Sequence, residues 1–249
     1  MRNPELSIII ATYNCQANIE KALSFISNQK YENWECVVVD GLSKDATVDI
    51  VKKYIEKDQR IRYVSERDKG IYDAFNKGWR LARGEWIYYI GSDDVITEEG
   101  LYNLMKFTES VDENIGMING GVIRVSQDGL EKSIMSNGFI GSHQGMIMRR
   151  CVIEELGGFN EDYKIIADYD LFIRMKNSHW GVLNTDTIVA YFNAGGTSEK
   201  FSATLKVFKE KMSILKKDKQ CWSPFWVSFI DSSKTLLGGL LHNSLKVFK

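Results

Sequence analysis

Along the first half of the chain, short apolar runs take turns with longer stretches in which apolar residues recur at helical spacing. LSIIIATYN carries Leu6, Ile8, Ile9, Ile10 and Ala11 and then turns polar, the pattern of a strand covered on both faces. NIEKALSFISNQ follows with Ile19, Ala22, Leu23 and Ile26 on one helical face. The alternation repeats: WECVVVDGLSKDAT is strand then loop, and TVDIVKKYIEKD is a helix through Val48, Val51, Tyr54 and Ile55. IRYVSERDKG gives a third strand and loop, IYDAFNKGWRLARG a helix with Tyr72, Phe75, Trp79 and Ala82 on one stripe, and WIYYIG a fourth strand. Such β-α alternation with short connections predicts an α/β fold built on a doubly wound, mostly parallel, Rossmann-like sheet.

The second half is less regular. MINGGVIRVSQDG suggests two strand pieces, and GSHQGMIMRRCVIEELGGF a loop, a strand and a short helix ended by Gly157 and Gly158. ADYDLFIRMKN reads as a helix, WGVLNTDTIVAYFNAGG as strands, and the last fifty residues as amphipathic helix. Mixed strands and a C-terminal helical extension are therefore expected, with one domain over 1–199 and the extension over 200–249.

Composition changes this picture at one place. The chain has 249 residues, enough for one large core, and its only prolines are Pro4 and Pro224, with no Gly/Ser-rich linker between them. The net charge of -1 conceals an asymmetry, because from Lys200 onward ten lysines face only Glu210, Asp218 and Asp231. Cys15, Cys36, Cys151 and Cys221 form no C-x-x-C pair and read as reduced structural thiols. The N-terminal apolar run is too short for a signal peptide, and no stretch reaches the ~20 apolar residues of a membrane span, so a cytoplasmic location is expected. No basic stripe with interleaved aromatics points to nucleic acid.

Ligands of open α/β sheets sit beyond the carboxyl ends of the strands. There the sequence places TYN (12–14), DGLSKD (40–45), SERDKG (65–70) and GSDD (91–94). Adjacent Asp93 and Asp94 suit either a solvated turn or a hard divalent cation. No G-x-G-x-x-G follows the first strand and no P-loop occurs, so phosphate bound at this rim would need a metal. In ADYDLFIRM, Asp168 shares its face with Leu171, Phe172 and Met175, which fits an N-cap or a carboxylate in a cleft. Asp170 stands four before Arg174 and reads as half of an exposed pair. Asp73, Asn76, Lys77 and Arg80 fall on one polar helix face.

ATYN, VVVDGLSKDAT, ERDKGIYDAFNKG, YIGSDDV, SHQGMIMRR and ADYDLFIRM, in this order over roughly residues 5 to 195, resemble the family 2 glycosyltransferases with the GT-A fold. The resemblance is to bacterial members that assemble surface polysaccharides and O-antigens. It implies that Ala11, Tyr13 and Asp40 line the base and ribose pocket of a nucleotide-sugar donor, with Ser43 and Asp68 nearby. Asn76 and Lys77 would reach the phosphate side, and Asp93 would face the ribose or a metal-bound water. Asp94 would ligate Mg²⁺ or Mn²⁺, and Asp168 would be the base of an inverting transfer. His143 and Gln144 would border the acceptor. The sequence departs from the family pattern at Cys15, Phe75, Ser92 and Ala167, where an acidic residue, an Arg, the first Asp of D-x-D and a Glu are usual. No Q-x-x-R-W motif is present, which favours addition of a single sugar, with a UDP-sugar as the default donor. A sugar-nucleotide nucleotidyltransferase and a non-catalytic sugar-binding protein are the alternatives.

In the tail, Leu205, Phe208, Met212 and Leu215 fall on one side of a lysine-rich helix, and Trp222, Phe225, Trp226 and Phe229 follow. This suits a peripheral helix on an anionic membrane surface, at the inner face of the cytoplasmic membrane where a lipid-linked saccharide acceptor would lie. Packing on the catalytic domain, or on a second copy to form a homodimer, is the other reading.

Overall fold

The computed structural model describes residues 3–125, 132–135, 142–193 and 201–217. Trp222, Phe225, Trp226, Phe229 and the rest of the tail beyond Lys217 fall outside these residues.

The first half alternates as its pattern requires. Its elements are β1 (Leu6–Thr12), α1 (Ile19–Ser27), β2 (Trp34–Asp40), α2 (Thr47–Lys57), β3 (Ile61–Ser65), α3 (Ile71–Leu81) and β4 (Trp86–Gly91). Then come β5 (Val95–Ile96), α4 (Gly100–Thr108), β6 (Ile115–Val125), β7 (Lys132–Met135), β8 (Met146–Arg149), α5 (Arg150–Glu155), α6 (Ala167–Lys176), β9 (Gly181–Asn193) and α7 (Phe201–Lys217). The stretch 115–125, expected as two pieces, is one strand.

Among the described residues these strands form one sheet in the order β3-β2-β1-β4-β8-β6-β9-β5, with β7 added to β6. Pairings within β3-β2-β1-β4 are parallel, and β8 joins β4 antiparallel, beginning the mixed half. The two faces are sorted by the period of two along each strand. Ile9, Val37, Val39, Ile87 and Tyr89 point to the core shared with α3, α5 and α6. Ile8, Ile10, Cys36, Val38 and Tyr88 point to the opposite core, with α1 and α4. Burial on both faces explains why these strands read as unbroken apolar runs.

Helix α7 closes the first of these cores. Ile214 is packed into it, Ala203 and Leu215 are buried, and Tyr163 and Ser213 are joined by a 3.3 Å hydrogen bond. The described part of the basic tail, 201–217, therefore packs against the sheet domain. Asp170 also differs from expectation. It does pair with Arg174 (2.8 Å), but the pair is inside: Asp170 is buried, and Arg174 also donates to Leu156 O and Gly158 O. The neighbouring loop at 156–158 covers what would otherwise be an open helix face.

One buried charge fastens β1, β2 and β3 near the end opposite the polar loops. Glu35 in β2 accepts from Ser7 Oγ (2.7 Å), Arg62 Nε (3.0 Å), Arg83 Nη2 (2.7 Å) and the Arg83 backbone N–H (2.6 Å). Gly84 is required beside it, since a methyl group there would press on the Ser7 backbone nitrogen at 2.7 Å. Burial pushes the Glu35 carboxyl upward, but the hydrogen bonds from Arg62, the Arg83 N–H and Ser7 outweigh it and hold it down at about 2, against 4.5 ordinarily. A lowered folded value means a stability contribution that is complete above the unfolded value and disappears as pH falls toward the folded one. Glu35→Gln should cost about 2–3 kcal/mol at pH 7, less than the roughly 3–5 of a fully buried pair because Arg83 is largely exposed. In urea melts the gap from the unmodified protein should narrow as pH drops from about 4.5 toward about 2.

Candidate functional site

The register of the parallel strands decides which loops meet. Thr12 is paired with Asp40, Asp40 with Ser65, and Ala11 with Gly91, so four strand ends finish at one level. Asp40 lies at the centre and is buried. Its carboxylate accepts from Thr12 Oγ1 (3.2 Å), Ser65 Oγ (2.6 Å), the Ser43 N–H (3.0 Å) and Ser43 Oγ. Four donors fill a carboxylate. Asp40 thus ties three strand ends together, and a ligand would reach it by displacing one of these hydroxyls.

The loops after β1 and β2 are laced by side chain to backbone bonds. Ser43 Oγ accepts from Asn14 N (2.8 Å), Asn14 Oδ1 from Lys44 N (2.8 Å), Asp45 Oδ2 from Gln16 N (3.1 Å) and Thr47 Oγ1 from Cys15 N (2.9 Å). Two residues, Asn14 (φ 48°) and Leu42 (φ 63°), are held in the left-handed region, a strain of about 1–2 kcal/mol for a residue such as leucine. On the outer side Tyr13 is 61% exposed and Asp68 stands next to it. Both approach Gly41 so closely that a methyl group there would run into the Asp68 carboxyl and the Tyr13 ring. A flat apolar ring beside a carboxylate, with backbone between, suits a base and ribose.

Asn76 and Lys77 are not part of this cleft. Asn76 is buried, donating to Phe159 O (2.9 Å) and Glu161 Oε1 (3.2 Å) and accepting from Phe159 N (2.9 Å) and Trp79 Nε1 (3.1 Å). All four of its hydrogen-bonding positions are filled, and none remains for a phosphate. Lys77 Nζ donates to Arg67 O (2.6 Å) and pairs with Glu66 (3.0 Å), which shapes the loop presenting Asp68. The polar face inferred for α3 is therefore partly an internal seam, and its cover, residues 159–161, comes from far along the chain.

Beyond β4 the two aspartates separate in environment. Asp93 is exposed, whereas Asp94 is 5% exposed. Asp94 Oδ2 accepts from Gln144 Nε2 (2.9 Å) and from Gly91 N (3.3 Å), while Oδ1 takes part in neither bond. Burial pushes this carboxyl above the ordinary carboxylate range and the charge of Asp93 adds to that, against the lowering influence of Gln144, His143 and the Gly91 N–H. A buried carboxylate with a second carboxylate adjacent fits a hard divalent cation. Mg²⁺ in particular is usually held by one or two carboxylates, with phosphate and water completing its shell. Among the described residues no cluster of three or more His, Cys, Asp or Glu forms a closed metal cage.

A single 3-10 turn, His143–Gly145, joins this acidic end to α6. Gln144 holds Asp94, and its neighbour His143 places Nδ1 3.2 Å from Asp168 Oδ2. The other oxygen, Oδ1, accepts from the Tyr169 N–H (2.9 Å) and shares the single hydrogen of the Tyr72 hydroxyl (3.1 Å) with Ile165 O (2.7 Å). Burial first and the Asp168 charge second keep that phenol protonated, so it remains a donor. Asp168 does not cap α6: the N-cap is Ile166, with no side-chain cap bond. The structure therefore brings Ala11, Tyr13, Asp40, Ser43, Asp68, Asp93, Asp94, His143, Gln144 and Asp168 to one rim and leaves Asn76 behind it. Sequence reasoning missed Tyr72, taken only as core, and Glu210 of α7, whose one signal is an acidic residue inside a lysine-rich helix.

The family model described as glycosyl transferase family 2 matches residues 7–167. A PGL/p-HBAD biosynthesis glycosyltransferase of Mycobacterium tuberculosis is 31% identical over 205 residues, 79% of this chain and 79% of that protein. The putative glycosyltransferase EpsH of Bacillus subtilis is 36% identical over 106 residues, 43% of this chain and 31% of that protein. Among solved structures, the mannosyltransferase PcManGT of Pyrobaculum calidifontis, in complex with GDP-Man and Mn²⁺, superposes with a TM-score of 0.71 at 17% identity, covering 99% of this chain and 81% of its own. TarS 1-349 of S. aureus, in complex with UDP-GlcNAc, gives 0.67 at 21% identity, covering 85% and 65%. At these identities the structural likeness concerns the fold, which is GT-A.

Replacing Asp94 removes a buried charge but keeps an oxygen for Gln144 and Gly91. Asp94→Asn should therefore raise Tm at pH 7.5 in EDTA by a few degrees, read by calorimetry. An unchanged or lower Tm would mean that the carboxylate is not under the desolvation described.

Proposed function

The chain belongs to glycosyl transferase family 2, and on that premise we propose that it moves one sugar, with inversion, from a nucleoside diphosphate sugar to a saccharide or lipid-linked acceptor in cell-surface polysaccharide synthesis. The observation that carries this reading is the turn at 143–145. Its consecutive residues hold Asp94 at 2.9 Å and Asp168 at 3.2 Å, which supports pairing a carboxylate suited to a cation with a candidate base.

In the proposed reaction an acceptor hydroxyl attacks the anomeric carbon, its new C–O bond forming as the bond to the diphosphate breaks. The proton goes to Asp168 Oδ2, and the diphosphate leaves with the bonding electrons. Tyr72 and the Tyr169 N–H occupy Oδ1, which leaves Oδ2 as the proton acceptor, and His143 steadies it from the side. Tyr13 and Asp68 would hold base and ribose, within walls set by Ala11, Asp40 and Ser43. Mg²⁺ or Mn²⁺ would be held by Asp94 with Asp93 beside it. When bound, that cation supplies positive charge against the departing diphosphate. A UDP-sugar is favoured as donor, although the solved relatives are described with both UDP-GlcNAc and GDP-Man.

For the acceptor side, the outer face of α7 supports a peripheral membrane role at the cytoplasmic leaflet. Leu205 is 70% exposed, Phe208 and Met212 continue its row, and Lys206, Lys209 and Lys216 are exposed around them. Among the described residues no helix is long and apolar enough to cross a membrane. A homodimer through the same face is the competing use.

A thermal-shift screen with UDP, GDP, CDP and dTDP, each with and without Mn²⁺, should give one nucleotide whose shift needs the metal. Asp168→Asn should retain that shift while nucleotide release from UDP-GlcNAc and GDP-Man, assayed in parallel with Mn²⁺, falls by about 10²–10⁴-fold. Release at the unmodified rate would remove Asp168 from the role of base. In flotation with phosphatidylglycerol vesicles, Leu205→Glu combined with Lys209→Glu should stay at the bottom of the gradient while the unmodified chain rises. Equal flotation, or a shift from dimer to monomer in the variant, would favour the other uses of this face.

A further inference from the structure

Glu210 is a charged side chain, 8% exposed, with no part in the chemistry above. It projects from α7 onto the backbone just ahead of α6, where Oε1 accepts from the Lys164 N–H (2.9 Å) and Oε2 from those of Ile165 (3.0 Å) and Ile166 (3.2 Å). Three consecutive amides are thus satisfied by one carboxylate from 44 residues away at Ile166. No side chain of α6 or its N-cap does this locally. The same segment is held from its other side, because the Tyr72 hydroxyl donates to Ile165 O (2.7 Å) and also reaches Asp168 Oδ1 (3.1 Å). The peptide at 165 is therefore fixed by α7 through its N–H and by α3 through its carbonyl, and Asp168 follows within one turn of helix.

Resting on the assignment of Asp168 as base, we propose that Glu210 is a positioning residue for the transfer. By clamping 164–166 it sets where α6 starts and so where Asp168 Oδ2 stands relative to an acceptor hydroxyl. Glu210, like Asp168 itself, lies beyond the segment 7–167 that the family model matches. The donor pocket is built on other loops and does not depend on the clamp. A fault in the clamp should consequently appear in turnover and spare donor affinity.

The test compares Glu210→Gln with Ile214→Val, which trims a buried methylene from the same helix and leaves the Glu210 carboxylate in place. Nucleotide release from UDP-GlcNAc and GDP-Man with Mn²⁺ should show kcat reduced about ten- to hundredfold in Glu210→Gln, with donor KM changed by less than about twofold. Ile214→Val should keep its kcat. Hydrogen exchange, which needs no substrate, should accelerate at the amides of 164–166 in Glu210→Gln alone. In an Asp168→Asn background, Glu210→Gln should lower the residual rate by less than about twofold, since the two act through one group. Full turnover in Glu210→Gln, an equal loss in Ile214→Val, unchanged exchange at 164–166, or additive losses in the double variant would each overturn the positioning role. A fully active Asp168→Asn single variant would instead overturn the base assignment itself.

Discussion

The strand register is the constraint on which the rest depends. With Thr12 opposite Asp40, Asp40 opposite Ser65 and Ala11 opposite Gly91, parallel pairing puts the loops after β1, β2, β3 and β4 at one height. A slip by one residue would turn each strand over and exchange its two apolar faces, which two separate cores forbid. The cleft is therefore secured by burial well away from it. Ile9 and Tyr89 sit on one face, Ile8 and Tyr88 on the other, and the polar residues arrive in place because these cannot move.

Much of this was legible in the chain. Runs such as SIII and CVVVD are strands buried on both faces, the amphipathic segments between them are helices, and the polar tails of the runs are the loops that meet. The resemblance in motif order gave the GT-A fold and the enzyme class, which the family match and the solved relatives support. What the pattern could not carry was contact between distant segments. Asn76 has the spacing of a surface residue, yet residues 159–161 fold over it. Asp170 has the spacing of an exposed ion pair, but Leu156 and Gly158 come to lie against its partner. A periodicity reports which way a side chain points and is silent about what will be packed there later.

Charge burial follows a consistent division across the molecule. Glu35, Asp40 and Glu210 are buried and each accepts from three or more donors, joining elements distant in sequence: strands at the base of the sheet, strand ends at its rim, and α7 to α6. Asp94 is buried as well, with Oδ2 held by Gln144 and Gly91 and its carboxyl pushed upward. A carboxylate that burial pushes upward is unfavourable in a resting protein and useful where a cation is to be received. Glu35, Asp40 and Glu210 act as fasteners, and Asp94 is the buried acid that the proposed chemistry would use.

The turn at His143–Gly145 has an evolutionary corollary. Because Gln144 and His143 are sequence neighbours engaging two different aspartates, Asp94 and Asp168, their separation is set by a single peptide unit. Length variation that surface loops ordinarily absorb would here pull one of the two side chains off its aspartate. Descendants of this chain should thus tolerate changes of residue type at these two positions more readily than the gain or loss of a residue between them.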